Sequence, residues 1–218
     1  MAKLPDHRPL LYYITDRKTV PEANLLPVIE RAVTAGVDLI QIRERDLDTR
    51  SLLALVEAAC ARARGTGTRI LVNDRLDVAL APPAAGLAAG AAGLHLPTHG
   101  LPVTEVRRRY PELLLGASCH NLEELRRAQE GGADFVVFGP VYETPSKKVY
   151  GPPLGLEKLA EAVRTASIPV LALGGIALAN ARACLEVGTA GLAAITLFQA
   201  SHDLQETVRQ LRRLQPPR

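Results

Sequence analysis

The feature that most constrains this chain is an alternation, repeated about eight times, of a short apolar run and a longer amphipathic segment. LLYYITD precedes Pro21 to Ala35, DLIQIRE precedes Thr49 to Arg64, and RILVND precedes Arg75 to Ala81. GLHLP leads to Thr104 to Tyr110, LLLGASCH to Asn121 to Glu130, and DFVVFGP to Leu156 to Ala166. PVLALGG with Leu178 to Glu186, and AGLAAIT with Asp203 to Leu214, complete the series. The short runs are apolar throughout, as strands buried on both faces of a parallel sheet are. In AGVD, GAAG, GGAD and VGTAG a glycine closes the helical run and a strand begins behind it. The pattern predicts an α/β protein, a single-domain (β/α)8 TIM barrel over residues 1–218. An open doubly wound sheet would alternate similarly, but with fewer strands and without two successive glycine-bearing strand ends late in the chain.

Composition fits one folded domain and narrows its partners. Hydrophobic residues make up 47% and charged residues 22% of the 218, so the chain has enough apolar material for a core. A net charge of +3 gives no reason to expect nucleic acid. Cys60, Cys119 and Cys184 share no short metal or redox spacing, which predicts free thiols in a reducing cytoplasm. No apolar run approaches the ~20 residues of a membrane span, so no membrane association is expected. Outer helices bearing Arg and Leu are compatible with a homodimer. Two departures from regular structure are expected: a helix broken at Pro82 and Pro83, and a lid loop over residues 141–153. Residues 208–218 read as a C-terminal tail.

In a barrel, reactive groups sit at the C-terminal ends of the strands. Those ends are polar here: Gln41, Arg43, Glu44 and Arg45; Asn73 and Asp74; His95; Ser118 and His120; with Lys147 and Lys148 in the lid. Singly, Arg43 and Glu44 read as a structural ion pair, Asn73 as a turn former and His95 as a core histidine with its hydrogen bonds satisfied. Together at one end of successive strands they favour a site. Paired glycines in LALGGI, followed by GLAAIT, free backbone N–H groups to meet an anion. Gly174, Gly175, Ala194 and Thr196 are therefore the expected phosphate-binding positions, against the alternative that small residues there only permit close packing.

Taken in order, YYITD, QIRER, NDRLDVAL, GLHLP, GASCHNLEEL, ADFVVFGPVYETPSKK, PLGLE, PVLALGGI and GLAAIT resemble the thiamine phosphate synthase and thiazole tautomerase superfamily. The resemblance implies a thiamine-biosynthesis enzyme that holds a hydroxyethylthiazole phosphate at the GGI and GLAAIT segments. Its synthase branch joins an aminopyrimidine diphosphate to the thiazole nitrogen and uses Mg2+. Gln41, Arg43, Asn73, Asp74, Ser118 and Lys147 match that branch, with Asp74 as the metal ligand. Arg45 stands where those enzymes have lysine, and Pro97, Thr98, His99 and Gly100 replace a run that ends in a second aspartate.

Those replacements resemble the tautomerase branch, a metal-free isomerase that aromatises a carboxythiazole phosphate by proton transfer, although that branch can lack Asp74. The favoured expectation is thus a tautomerase without cofactor. His120 would be its acid/base, assisted by Ser118 and Lys147, with Gln41, Arg43, Arg45 and Asn73 binding the substrate. The alternatives are the synthase, a transferase, and a non-catalytic thiazole-phosphate binding module.

Overall fold

The computed structural model describes residues 4, 9–81, 90–144 and 152–214. The expected break at Pro82 and Pro83 lies outside them, and so do residues 145–151 of the expected lid, including Lys147 and Lys148. Eight parallel strands close into a barrel in sequence order. They are β1 (Leu10–Ile14), β2 (Leu39–Ile42), β3 (Arg69–Asn73), β4 (Gly93–Leu96), β5 (Leu114–Cys119), β6 (Phe135–Phe138), β7 (Val170–Leu173) and β8 (Gly191–Ala194). Around them lie α1 (Leu26–Thr34), α2 (Thr49–Ala63), α3 (Leu76–Ala79), α4 (Val103–Arg109) and α5 (Leu122–Glu130). The outer layer continues with α6 (Gly155–Thr165), α7 (Leu178–Glu186), α8 (Thr196–Gln199) and α9 (Leu204–Arg213). Among the described residues no helix is long and apolar enough to cross a membrane.

Side chains alternate across each strand, and the two faces build two cores. Leu10, Tyr12, Leu39, Leu71, Leu114, Phe135 and Leu171 fill the barrel interior. Residues of the opposite parity, such as Leu11, Ile40 and Val72, pack beneath the helices. Helix burial follows the same logic at a longer period. α9 buries Leu204, Thr207, Val208 and Leu211, one stripe at i, i+3, i+4 and i+7. Residues 208–213 are therefore the second half of a packed helix, where a tail was expected.

Expected boundaries shift in three places. Residues Pro21–Ala23 form a 3-10 turn, and α1 begins only at Leu26, with Pro27 in its first turn. α3 is a single turn of four residues. α8, a turn of four residues after β8, is too short for its periodicity to be visible in the sequence. Gly36, Gly132 and Gly188, which close helical runs, all have positive φ, as the closing glycines require.

The end of the barrel opposite the site is tied by a device used twice. In AGVD and GGAD the aspartate precedes a strand. Asp38 accepts from Leu11 N at 2.7 Å and from Arg212 at 2.8 Å. Asp134 likewise accepts from Leu115 N and from Arg107, both at 2.7 Å. Each carboxylate pins the preceding strand and an outer helix together, leaving the other barrel end for ligand.

Candidate active site

Strand register decides which polar side chains enter the barrel mouth. Gln41 lies two residues after the inward Leu39, Asn73 two after Leu71, and Ser118 four after Leu114, so all three inherit the inward parity. His95 pairs with Asn73 on one side and Gly116 on the other, which places it in the same upper layer. A Cβ at Gly116 would lie 2.6 Å from the His95 Nδ1, so the glycine makes room for the imidazole.

Tyr12 stands in the middle of this layer, fully buried, edge-on to Phe135 with ring centroids 5.5 Å apart. Its hydroxyl accepts from Gln41 Nε2 at 2.8 Å and lies 3.1 Å from His95 Nδ1. His95 Nε2 lies 3.0 Å from Ser118 Oγ. Among the described residues the Asn73 side-chain amide makes no hydrogen bond, Arg45 has no ion pair, and His95 is the one side-chain partner of the Ser118 hydroxyl.

Glu44 does not take the expected role of partner to Arg43. Thr15 Oγ1 donates to one of its oxygens at 2.5 Å and Arg17 N to the other at 3.1 Å. Thr15 Oγ1 in turn accepts from Arg43 N at 3.0 Å. Burial pushes the Glu44 carboxyl above its ordinary range, with the Thr15 hydrogen bond acting against it. This network fixes the turn that carries Arg43 and Arg45.

Arg45, Asn73, Asp74, Arg75 and His99 line a cleft of about 300 Å3 beside the mouth. Asp74 is exposed and has φ 62, a left-handed conformation that aspartate tolerates better than most residues. Pro97 and Gly100 close a turn through Gly100 N and Pro97 O at 2.9 Å. A Cβ at Gly100 would lie 2.6 Å from Asp74 Oδ1, so the turn packs directly against the one carboxylate. Among the described residues no group of three or more His, Cys, Asp or Glu could hold a metal ion.

Across the mouth, β7 and β8 pair Leu173 with Ala193, so the segments that follow lie side by side. Gly174 and Gly175 have φ of 99 and 64. A Cβ at either would lie 2.5 Å from backbone of the segment after β6, from Pro140 Cα or Glu143 O. That segment pairs through Val141 N to Leu173 O at 2.8 Å and Tyr142 N to Gly174 O at 3.1 Å. The glycines thus permit close backbone packing. The N–H groups of Gly175 and Ile176, and separately those of Thr196 and Leu197 opening α8, have no acceptors among the described residues. The close packing weighed as the alternative is therefore present, and the same turn leaves the Gly175 and Ile176 donors open. Ala194 is buried at the end of β8, and Thr196 is exposed.

His120 is held as a strut. Its N–H donates to Glu124 Oε2 at 2.6 Å, and its ring Nδ1 bonds the Gly139 carbonyl. Asn121 caps α5 through Glu124 N at 2.9 Å, so the histidine's place is set by the helix start and by β6. The residues that sequence reading missed are Tyr12, Thr15 and Gln199. Gln199 in α8 accepts from the Tyr13 hydroxyl at 2.6 Å and donates to Asp16 O at 2.8 Å, tying the ends of β1 and β8.

Burial first, and the nearby Arg43 charge second, pull His95 down to about 3 from an ordinary value of 6.5. The folded protein therefore refuses a proton that the unfolded chain accepts below about pH 6.5. Stability contributed by neutral His95 is complete above that value and is lost as pH falls towards 3. The loss approaches about 1.4 kcal/mol per pH unit. Urea unfolding near neutrality and near pH 4.5 should show a shallower acid loss in His95→Gln than in the unchanged chain. Equal slopes would assign the titration elsewhere.

A family model described as thiamine monophosphate synthase matches residues 11–198. A Geobacter sulfurreducens protein named putative thiamine-phosphate synthase is 44% identical over 209 residues, 95% of each chain. Thiamine-phosphate synthase of a Roseiflexus species is 39% identical, covering 93% of this chain and 83% of its own. The solved structure of thiamine phosphate pyrophosphorylase from Pyrococcus furiosus superposes with TM-score 0.80 at 32% identity, over 94% of this chain and 95% of its own.

These relatives overturn the expectation of a tautomerase and of an isomerase, since they carry synthase and pyrophosphorylase names. The inference from Gly100 failed because a hard cation takes oxygens from substrate phosphates and water as readily as from a second carboxylate. The barrel, its polar mouth and the match over residues 11–198 agree, and the chain belongs to the thiamine monophosphate synthase family.

Proposed function

We propose that the protein is a transferase that joins an aminopyrimidine diphosphate to a thiazole phosphate and releases diphosphate. The observation that carries this reading is the presence of two anion-receptive places at one barrel mouth. The glycine turn after β7 and the turn after β8 offer N–H groups without acceptors among the described residues to a phosphate. The upper layer opposite offers Arg43, Asn73 and Ser118, with Arg45 beside it, to a diphosphate.

In the reaction the thiazole nitrogen lone pair forms a bond to the pyrimidine's side carbon. The bond from that carbon to the diphosphate oxygen breaks, and its electron pair leaves with the diphosphate. Charge grows on the leaving oxygens, so the residues that matter are donors fixed beforehand: the Arg43 guanidinium, the Asn73 amide and the Ser118 hydroxyl. Gln41, committed to Tyr12, shapes the base of the mouth, and Gly174, Gly175, Ala194 and Thr196 hold the thiazole phosphate still. His120 keeps the ends of β5 and β6 in register. Lys147 would add a further cation.

The donor set fits a magnesium ion that arrives with the diphosphate, because Asp74 supplies one carboxylate in a cleft open enough for substrate oxygens. Bound there, the ion would neutralise charge on the diphosphate. Asp74→Asn should raise the Mg2+ concentration needed for half-maximal rate by about tenfold or more while leaving thiazole phosphate affinity unchanged. An unaltered Mg2+ dependence would remove Asp74 from the metal site. The reading as a whole is tested by incubating the protein with both substrates and measuring thiamine phosphate and diphosphate. Equal amounts of the two support it. Tight thiazole phosphate binding without product would instead indicate a binding module.

A further inference from the structure

The buried row Gln41, Tyr12, His95 and Ser118 contains few protons, and their places can be worked out in order. The Gln41 Nε2 donates to the Tyr12 oxygen, and the fully buried phenolic proton has His95 Nδ1 as its one acceptor among the described residues, so the hydroxyl donates to Nδ1. Tyr12 and His95 are 0% and 1% exposed, and among the described residues no carboxylate bonds either ring, so both side chains stand in the barrel in their neutral forms. A neutral imidazole has one N–H, and with Nδ1 accepting, that proton sits on Nε2. Nε2 therefore donates to Ser118 Oγ. Ser118 accepts from within the barrel, and its own proton, which has no acceptor among the described residues, is left for the mouth.

We propose that Tyr12 and His95 are positioning residues that lock Ser118 as an outward hydrogen-bond donor, making the position beside it selective for an acceptor-only anionic oxygen. The polarity is the reverse of a serine nucleophile, in which histidine accepts the hydroxyl proton. Ser118 is thus barred from acting as a base or nucleophile and is prepared to meet charge without reorienting. On the synthase reading, on which this role in turnover rests, that charge is the departing diphosphate.

The direct test is 15N NMR of the His95 ring in the full chain. A protonated Nε2 and a bare Nδ1 are expected near neutral pH. Tyr12→Phe should mix the two tautomers and weaken binding of inorganic diphosphate about tenfold. His95→Gln should retain that affinity, because its amide oxygen can accept from Tyr12 while its nitrogen donates to Ser118. His95→Leu should lose it. Finding Nδ1 protonated in the unchanged protein overturns the proposal without any variant. So does a Tyr12→Phe protein whose tautomer and diphosphate affinity match the parent. Failure of the synthase reading would appear separately, as absence of thiamine phosphate from a protein whose ring tautomer is as stated.

Discussion

Gly174→Ala is expected to destabilise the protein by about 2–6 kcal/mol and to end thiamine phosphate formation. Two costs add. A φ of 99 places an L side chain in a region it rarely adopts, worth roughly 1–3 kcal/mol. The new Cβ would also lie 2.5 Å from Pro140 Cα, and backbone cannot move aside as a flexible side chain can. Relief would pull Tyr142 away from the Gly174 carbonyl and turn the Gly175 and Ile176 N–H groups out of line. Gly36→Ala is the control, since Gly36 has φ 81 but nothing within 4 Å of a Cβ. It should cost about 1–2 kcal/mol and leave turnover intact. Urea unfolding and product formation in both variants decide the matter. A Gly174→Ala protein no less stable than Gly36→Ala would mean that the close approach of the segment after β6 is not needed.

The fold was legible because each repeat carries its own local signals. Apolar runs and glycine closures are read within a few residues of one another, and the structure adds side-chain caps at Asp48, Asn121 and Asp203. The inward layer was half legible. Gln41, Asn73 and Ser118 are polar residues at the end of apolar strands, and period-two parity alone points them into the barrel. Tyr12 and Tyr13 are adjacent and alike, and only closure of β1 against β8 decides that the first faces inward. Partners across the barrel were beyond sequence reading: Thr15 and Glu44, and Tyr12 and His95, meet only after the strands pair. The tautomerase expectation failed for a chemical reason. It counted carboxylates in the Asp74 and Gly100 region, whereas the ligands of a cation bound with diphosphate come partly from the substrate.

Ser118→Ala is expected to lower kcat about 10²- to 10³-fold, the usual cost of removing one prearranged donor to charge that develops in the transition state. The effect belongs to kcat because the hydroxyl meets the diphosphate most strongly as it leaves. KM for thiazole phosphate should hold, since the proposed anchor of that substrate lies across the mouth, after β7 and β8. Stability should also fall, by roughly 1–3 kcal/mol, because the His95 Nε2–H loses its acceptor in a residue only 1% exposed. A neutral ring cannot shed that cost by moving its proton to Nδ1, where the Tyr12 hydroxyl already donates. Ser118→Thr keeps a hydroxyl and should recover most of both losses. Steady-state kinetics with each substrate varied, paired with urea unfolding, separates the two effects. If kcat is unchanged while stability drops, the hydroxyl serves only to satisfy His95, and the donor to the leaving diphosphate must be sought in Asn73 and Arg43.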